Sequence, residues 1–227
     1  MILRTVDRQQ LEFLATNPNE FWKDIDRVEQ KAFFGMEELE EIKIPNTVKT
    51  IGAHAFSRCA NLKNVQLPQY LDYIGYGVFS KTSLTNVKLP KTIFYIDKYA
   101  FFNCTDLQDI KLNEGLAYIE ESSFEGCVKL TEVKLPSTVV SIGYKAFRFC
   151  TSLQSIEIPD GVTVFRSSFS GCENLRNIKI GNITINIPQN DIFSSIATMN
   201  DGNYCIMTTS KTNQNQHNMI LTNEETY

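Results

Sequence analysis

Leu130 to Cys150 reads LTEVKLPSTVVSIGYKAFRFC. The stretch holds an alternating apolar run, a proline stop, a second short apolar run and an Ala-Phe-x-x-Cys corner. Val133 and Leu135 are two residues apart, which puts both on one face of a strand and Lys134 on the other. Pro136 lacks an N–H and has a fixed φ, so it ends the strand ladder and turns the chain. Val139 and Ile142 form a second apolar segment. It is too short and too β-branched for a helix, and predicts a second, narrow row of strands. The pattern starts again at Leu153, 23 residues after Leu130.

Working outward, the corner phenylalanines are Phe33, Phe56, Phe79, Phe101, Phe124, Phe147 and Phe169. The leucines that follow them are Leu39, Leu62, Leu84, Leu107, Leu130, Leu153 and Leu175. Both series step by 22 or 23 residues. A period of about 20–29 residues headed by L-x-x-ϕ-x-ϕ marks a leucine-rich-repeat solenoid. Proline follows the strand in five of seven copies, at Pro45, Pro68, Pro90, Pro136 and Pro159. Asn113 and Gly181 replace it, and both tolerate turns. Gly52, Gly75 and Gly143 close several of the second segments. The expected fold is therefore β-rich, with stacked parallel strands and few short helices.

The flanks depart from the repeat. Residues 1–24 read as an N-terminal helical cap, with Thr5 and Asp7 at its start and Val6, Leu11, Leu14 and Ala15 on one face. An end coil needs such a cover, because its core face is otherwise open. The solenoid proper is expected over residues 25–180, in about seven repeats. Residues 181–209 read as a C-terminal cap: Ile183, Ile185 and Ile187 alternate as one last strand, Asp191 to Met199 fits a short helix, Asn200 to Asn203 a turn. Residues 210–227, rich in Asn, Gln and Thr, read as a polar flexible tail.

The repeat resembles the BspA-type (treponemal-type) leucine-rich repeat family. The residues that carry the likeness are L-x-x-[IV]-x-[LI]-P, [VLI]-x-x-I-G and A-F-x-x-C, repeated from about Ile25 to Ile180. The resemblance implies a right-handed superhelix used for binding proteins, in a family whose members are often cell-surface or secreted adhesion proteins. The opening MILRTVDRQQLEFL has no continuous apolar core of a signal peptide. The sequence thus leaves two placements open: a chain kept in the cytoplasm, or one exported by a signal preceding it.

Composition excludes several function classes. The chain carries a net charge of -4 and a pI near 5.3, which argues against a nucleic-acid partner. No apolar run approaches the roughly 20 residues that would insert across a membrane. There is no G-x-S-x-G, no Gly-rich phosphate loop and no H-E-x-x-H, so neither an enzyme nor a cofactor is expected. The two histidines, His54 and His217, leave few options for a metal site. His54 reads as an exposed turn residue. Five of the six cysteines fall on the repeat: Cys59, Cys104, Cys127, Cys150 and Cys172. Their spacing is set by the repeat and not by pairing, so they read as a ladder of buried thiols.

What remains exposed must carry function. Tyr73, Tyr95 and Tyr118 hold the same place in three successive copies, and strand alternation points them outward. With Phe94 and Tyr76 they form the first candidate binding face, since tyrosine offers large contact area at low entropic cost. Tyr70, Tyr99 and Phe102 lie near them in the pattern. The alternative face is the outward lysine column of the front strand, Lys43, Lys88, Lys111, Lys134 and Lys179. The expectation is a protein or glycan ligand bound through solenoid faces, with a self-assembling scaffold as the second option.

Overall fold

The computed structural model describes residues 2–3, 8–187, 191–199, 204–210 and 217–221. Its body is a solenoid of stacked coils. The front row holds Glu41–Lys43, Asn64–Gln66, Asn86–Lys88, Asp109–Lys111, Glu132–Lys134, Ser155–Ile158 and Asn177–Ile180. The second row holds the two-residue strands Arg27–Val28, Thr50–Ile51, Tyr73–Ile74, Tyr95–Ile96, Tyr118–Ile119, Ser141–Ile142 and Thr163–Val164. Within each row the coil-to-coil pairs are parallel, in three groups in front and two in the second row: Glu132 opposes Ser155 and Ser155 opposes Asn177 in front, while Tyr118 lies between Tyr95 and Ser141 in the second row. The turn between the rows is set by the proline: the amides of Val48, Ile93 and Val139 donate to the carbonyls of Pro45, Pro90 and Pro136 at 3.1–3.2 Å.

A third ladder runs through the corners. The Phe79, Phe101 and Phe124 amides donate to Ala100, Ser123 and Ala146 of the next coil at 2.7–2.9 Å. Two residues before and two after each corner phenylalanine, the backbone is left-handed. Lys145 (φ 58°) and Phe149 (φ 59°) flank Phe147, and Gly77 (φ 59°) and Lys81 (φ 59°) flank Phe79. A left-handed conformation costs a non-glycine residue about 1–2 kcal/mol. It is offset here because most of these residues aim their own amide at the next coil, as His54 does to Tyr76, Arg58 to Ser80 and Tyr99 to Glu121, at 2.8–3.0 Å.

The core is a column of seven fully buried phenylalanines, Phe33 to Phe169, with ring centroids 4.8–5.6 Å apart and planes within 18° of parallel. Beside it the five repeat cysteines are buried and unpaired. Each thiol donates to the corner carbonyl of the preceding coil, Cys59 to Phe33 at 2.9 Å and Cys172 to Phe147 at 3.1 Å, with Cys104, Cys127 and Cys150 alike. Thr82 takes the cysteine place in its own corner and bonds Cys104 Sγ at 3.3 Å. Burial pushes the Cys59 and Cys172 thiols up to about 12 and Cys104 to about 11. The thiolate is the reactive form. A thiol reagent is therefore expected to label half-buried Cys205 quickly in the native protein and all six cysteines after unfolding. Fast labelling of the repeat cysteines in native protein would contradict the buried ladder.

Both ends are covered. Ile2–Leu3 pairs parallel with Arg27–Val28 and extends the second row. A helix, Arg8–Thr16, and a single turn, Pro18–Phe21, follow. Leu14 is buried and Leu11 half-buried, but Ala15 is exposed, and Thr5, Val6 and Asp7 lie outside the described residues. Trp22 closes the phenylalanine column, its ring 6.4 Å from Phe33. At the other end the chain reverses at Gly181 (φ 52°), and Ile183–Asn186 pairs antiparallel with Asn177–Ile180.

Two expectations need correcting beyond this point. Asp191–Thr198 is a strand and not a helix; it pairs antiparallel with Tyr204–Ser210, with a register shift between Phe193 and Ser195. An apolar pair four apart, such as Ile192 and Ile196, fits a bulged strand as well as a helix. Nor is the C-terminal segment all tail, because His217–Leu221 adds a third strand against Tyr204–Ser210. The expected turn at Asn200 to Asn203 lies outside the described residues. This sheet docks on the last second-row strand: Val164 N–H donates to Thr198 Oγ1 at 2.7 Å, and Tyr204 Oη donates to the Val162 carbonyl at 2.6 Å.

Candidate binding faces

The second row places three aromatic residues in register. Tyr95 pairs with Tyr73 on one side and Tyr118 on the other. Their inward neighbours Ile74, Ile96 and Ile119 are buried, which turns the tyrosines outward. Tyr73 and Tyr118 are each 39% exposed and Phe94 49%. The Tyr95 ring lies 6.2 Å from Tyr118 and 6.3 Å from Phe94. Tyr95 is the half-buried centre of the strip. Burial, then the Asp97 and Glu120 carboxylates, push its phenol up to about 12, so it stays a neutral donor at neutral pH.

Tyr76 is not part of that strip. It belongs to the corners, where its ring meets His54 at 5.1 Å and Tyr99 at 5.5 Å; Tyr99 in turn meets Phe102 at 5.6 Å, all edge to face. These rings line an open groove of about 330 Å³ with Lys31, Phe34, Ser57, Arg58, Ser80 and Lys81. His54 is half-buried and not an exposed turn residue. Its Nδ1 is buried without a hydrogen-bond partner. Burial, helped by nearby Lys31, lowers its pKa and favours the neutral ring. The sequence singled out the aromatic residues here but not the cations, since Lys31 sits before its corner phenylalanine and Arg58 and Lys81 after theirs. The left-handed flanks bring them together.

The front-row lysines Lys43, Lys88, Lys111, Lys134 and Lys179 are all exposed. Lys134 pairs with Glu132 at 3.6 Å and Lys179 with Glu157. Lys88 lies directly beside Lys111 in the ladder. Exposed pairs of this kind contribute roughly 0–1 kcal/mol, so the face is a solvated, mixed-charge sheet. Among the described residues no group of three or more His, Cys, Asp or Glu could hold a metal ion, and no helix is long and apolar enough to cross a membrane.

A family model described as BspA type leucine rich repeat region matches residues 26–148 and 118–213, in six copies. The chain belongs to the BspA-type leucine-rich repeat family. BspA-type repeats are generally protein-interaction or adhesion scaffolds, and their fold is typically a non-catalytic binding module. Among solved structures, a leucine rich cell surface protein from Faecalibacterium prausnitzii is 28% identical, with a TM-score of 0.55, over 70% of this chain and 52% of that one. The BspA-type chain thus spans about half the length of that relative. The Treponema pallidum leucine rich repeat protein is 29% identical with a TM-score of 0.46, over 57% of this chain and 72% of that one. No curated protein matches the chain.

Proposed function

We propose that the chain is a non-enzymatic binding module that holds a protein or glycan partner against its second-row face, as an adhesion protein at a cell surface does. The observation that carries this reading is the in-register strip Tyr73, Tyr95 and Tyr118 with Phe94 beside it. Tilted ring contacts at 6.2–6.3 Å hold Tyr95 between Tyr118 and Phe94 before a partner arrives, which reduces the entropy lost on binding. The cell-surface description of the Faecalibacterium relative supports the placement. The second option, an end-to-end self-assembling scaffold, calls for open end coils. The helix and Trp22 at one end and the terminal sheet at the other favour binding in its place.

The triple change Tyr73→Ser, Tyr95→Ser, Tyr118→Ser tests the reading. It removes outward side chains and leaves the buried isoleucines, so a cooperative thermal transition is expected to remain. Partner binding, measured with ligands captured from cell-surface fractions, is expected to weaken by at least roughly 30-fold, as for loss of an interface anchor of about 2 kcal/mol. Light scattering on the same samples reports self-association. Unchanged capture and unchanged mass in the triple variant would remove the strip from consideration.

A further inference from the structure

The corner groove differs from the tyrosine strip in chemistry. Its lining includes three cations, Lys31, Arg58 and Lys81, and no carboxylate. None of the three forms an ion pair with a described residue. Further along the same corner the pattern is different, because Lys98 pairs with Glu121 at 3.2 Å and Arg148 with Glu125 at 3.1 Å. In a chain of net charge -4, three unpaired cations in one groove are a local departure from the whole; a carboxylate approaches at the Tyr99 end, where the Tyr99 hydroxyl donates to Glu121 at 3.5 Å. Lys31 and Arg58 both lie over the Phe34 ring, at 5.6 and 5.8 Å, which holds two of the cations over the groove wall.

We propose that this groove is a site for an acidic oligosaccharide, carboxylated or sulfated, whose anionic groups pair with Lys31, Arg58 and Lys81 while a sugar ring lies against Tyr76 and Tyr99. The corner amides are already bonded from coil to coil, so no free backbone edge is offered for a peptide strand to extend. Recognition must come from side chains alone. Aromatic rings and cations provide the stacking surface and charge that such a sugar needs. The hydroxyls of Ser57 and Ser80 on the groove floor make no hydrogen bond to another described residue, and supply donors for ring oxygens. The groove crosses four coils, a length of about 15 Å at the spacing of stacked strands, and its volume is at the small end for a ligand site. The rings are edge to face, so successive rings offer alternately a face and an edge. This site shares no residue with Tyr73, Tyr95 and Tyr118, and stands or falls apart from them.

An array carrying uronic-acid, sialylated and sulfated oligosaccharides, their methyl-esterified or desulfated counterparts, and acidic peptides tests the assignment with the whole chain. Retention of acidic sugars is expected, with the neutralised counterparts weaker by at least tenfold. The change Lys31→Gln, Arg58→Gln, Lys81→Gln alters three exposed side chains and is expected to leave the melting temperature unchanged. It should weaken the best sugar by about tenfold per cation removed. The Tyr73, Tyr95, Tyr118 serine variant should bind that sugar as the wild type does. Retention of acidic peptides alone, no retained acidic sugar, equal binding of a sugar and its neutralised counterpart, or unchanged binding by the glutamine variant would each overturn the proposal.

Discussion

Phe124→Ala is expected to lower the free energy of unfolding by about 3–5 kcal/mol, the usual cost of truncating a buried phenylalanine. Phe124 is fully buried and its ring stacks on Phe101 at 5.2 Å and on Phe147 at 5.1 Å. Removing it opens a gap in the middle of the column that no side chain of its own coil can fill. Against a typical total of about 5–15 kcal/mol, this is a large fraction. The consequence goes beyond stability, because each coil of a solenoid contacts only its neighbours. A gap at Phe124 weakens the coupling between the coils before it and those after it. The single tryptophan, Trp22, sits at the N-terminal end, so its fluorescence reports the first coils while far-UV circular dichroism reports all of them. In the wild type the two denaturation curves should coincide; in Phe124→Ala they should separate. Coincident curves in the variant, with a loss under about 1 kcal/mol, would show that the column does not couple the coils.

The two strand rows were legible because each is local and periodic. The pair Val133 and Leu135 fixes the front strand, Pro136 its end, and Val139 with Ile142 the second row, and each coil repeats the same test. The corner was only half legible. Phe147 and Cys150 read correctly as buried, but nothing in the letters marks Lys145 and Phe149 as left-handed, since glycine holds those places in only some copies. Phe149 aims its amide at Ser170 of the next coil at 2.8 Å, which is information from 20 or more residues away. The same cause hid the corner groove. Tyr76 lies three residues after Tyr73 and reads as its neighbour, yet the turn into the left-handed Gly77 carries it to a different face.

The caps were least legible, for a related reason. Ile2–Leu3 is too short to register as a strand alone and exists because Arg27–Val28 offers it an edge. Asp191–Thr198 is a strand because Tyr204–Ser210 lies beside it. Neither partner can be read from the segment itself. Caps do not repeat, so the averaging over copies that made the coils clear is lost there.

Trp22→Ala carries the second large effect, and its signature is opposite to that of Phe124→Ala. Trp22 is 5% exposed, meets Phe21 edge to face at 5.1 Å and lies over Phe33 at 6.4 Å. Its truncation leaves the open end of the column without its cover, at a local cost of about 3–5 kcal/mol. Because the loss is at an end, it should appear as fraying and not as a split in the middle. Hydrogen exchange followed by mass spectrometry should show protection falling in residues 25–60, where the Phe33 amide donates to Ala55 at 2.8 Å, and unchanged in residues 147–180. Trp22→Phe sharpens the test. The Trp22 Nε1 is buried without a hydrogen-bond partner, a liability of about 1–3 kcal/mol that phenylalanine does not carry. That relief should offset much of the lost ring area, so Trp22→Phe is expected to keep the N-terminal protection that Trp22→Ala loses. Equal loss in both variants would mean that the end of the column needs the full indole area, which phenylalanine does not supply and the relief at Nε1 does not offset, and a uniform loss along the chain would mean that the first coils are not an independent end.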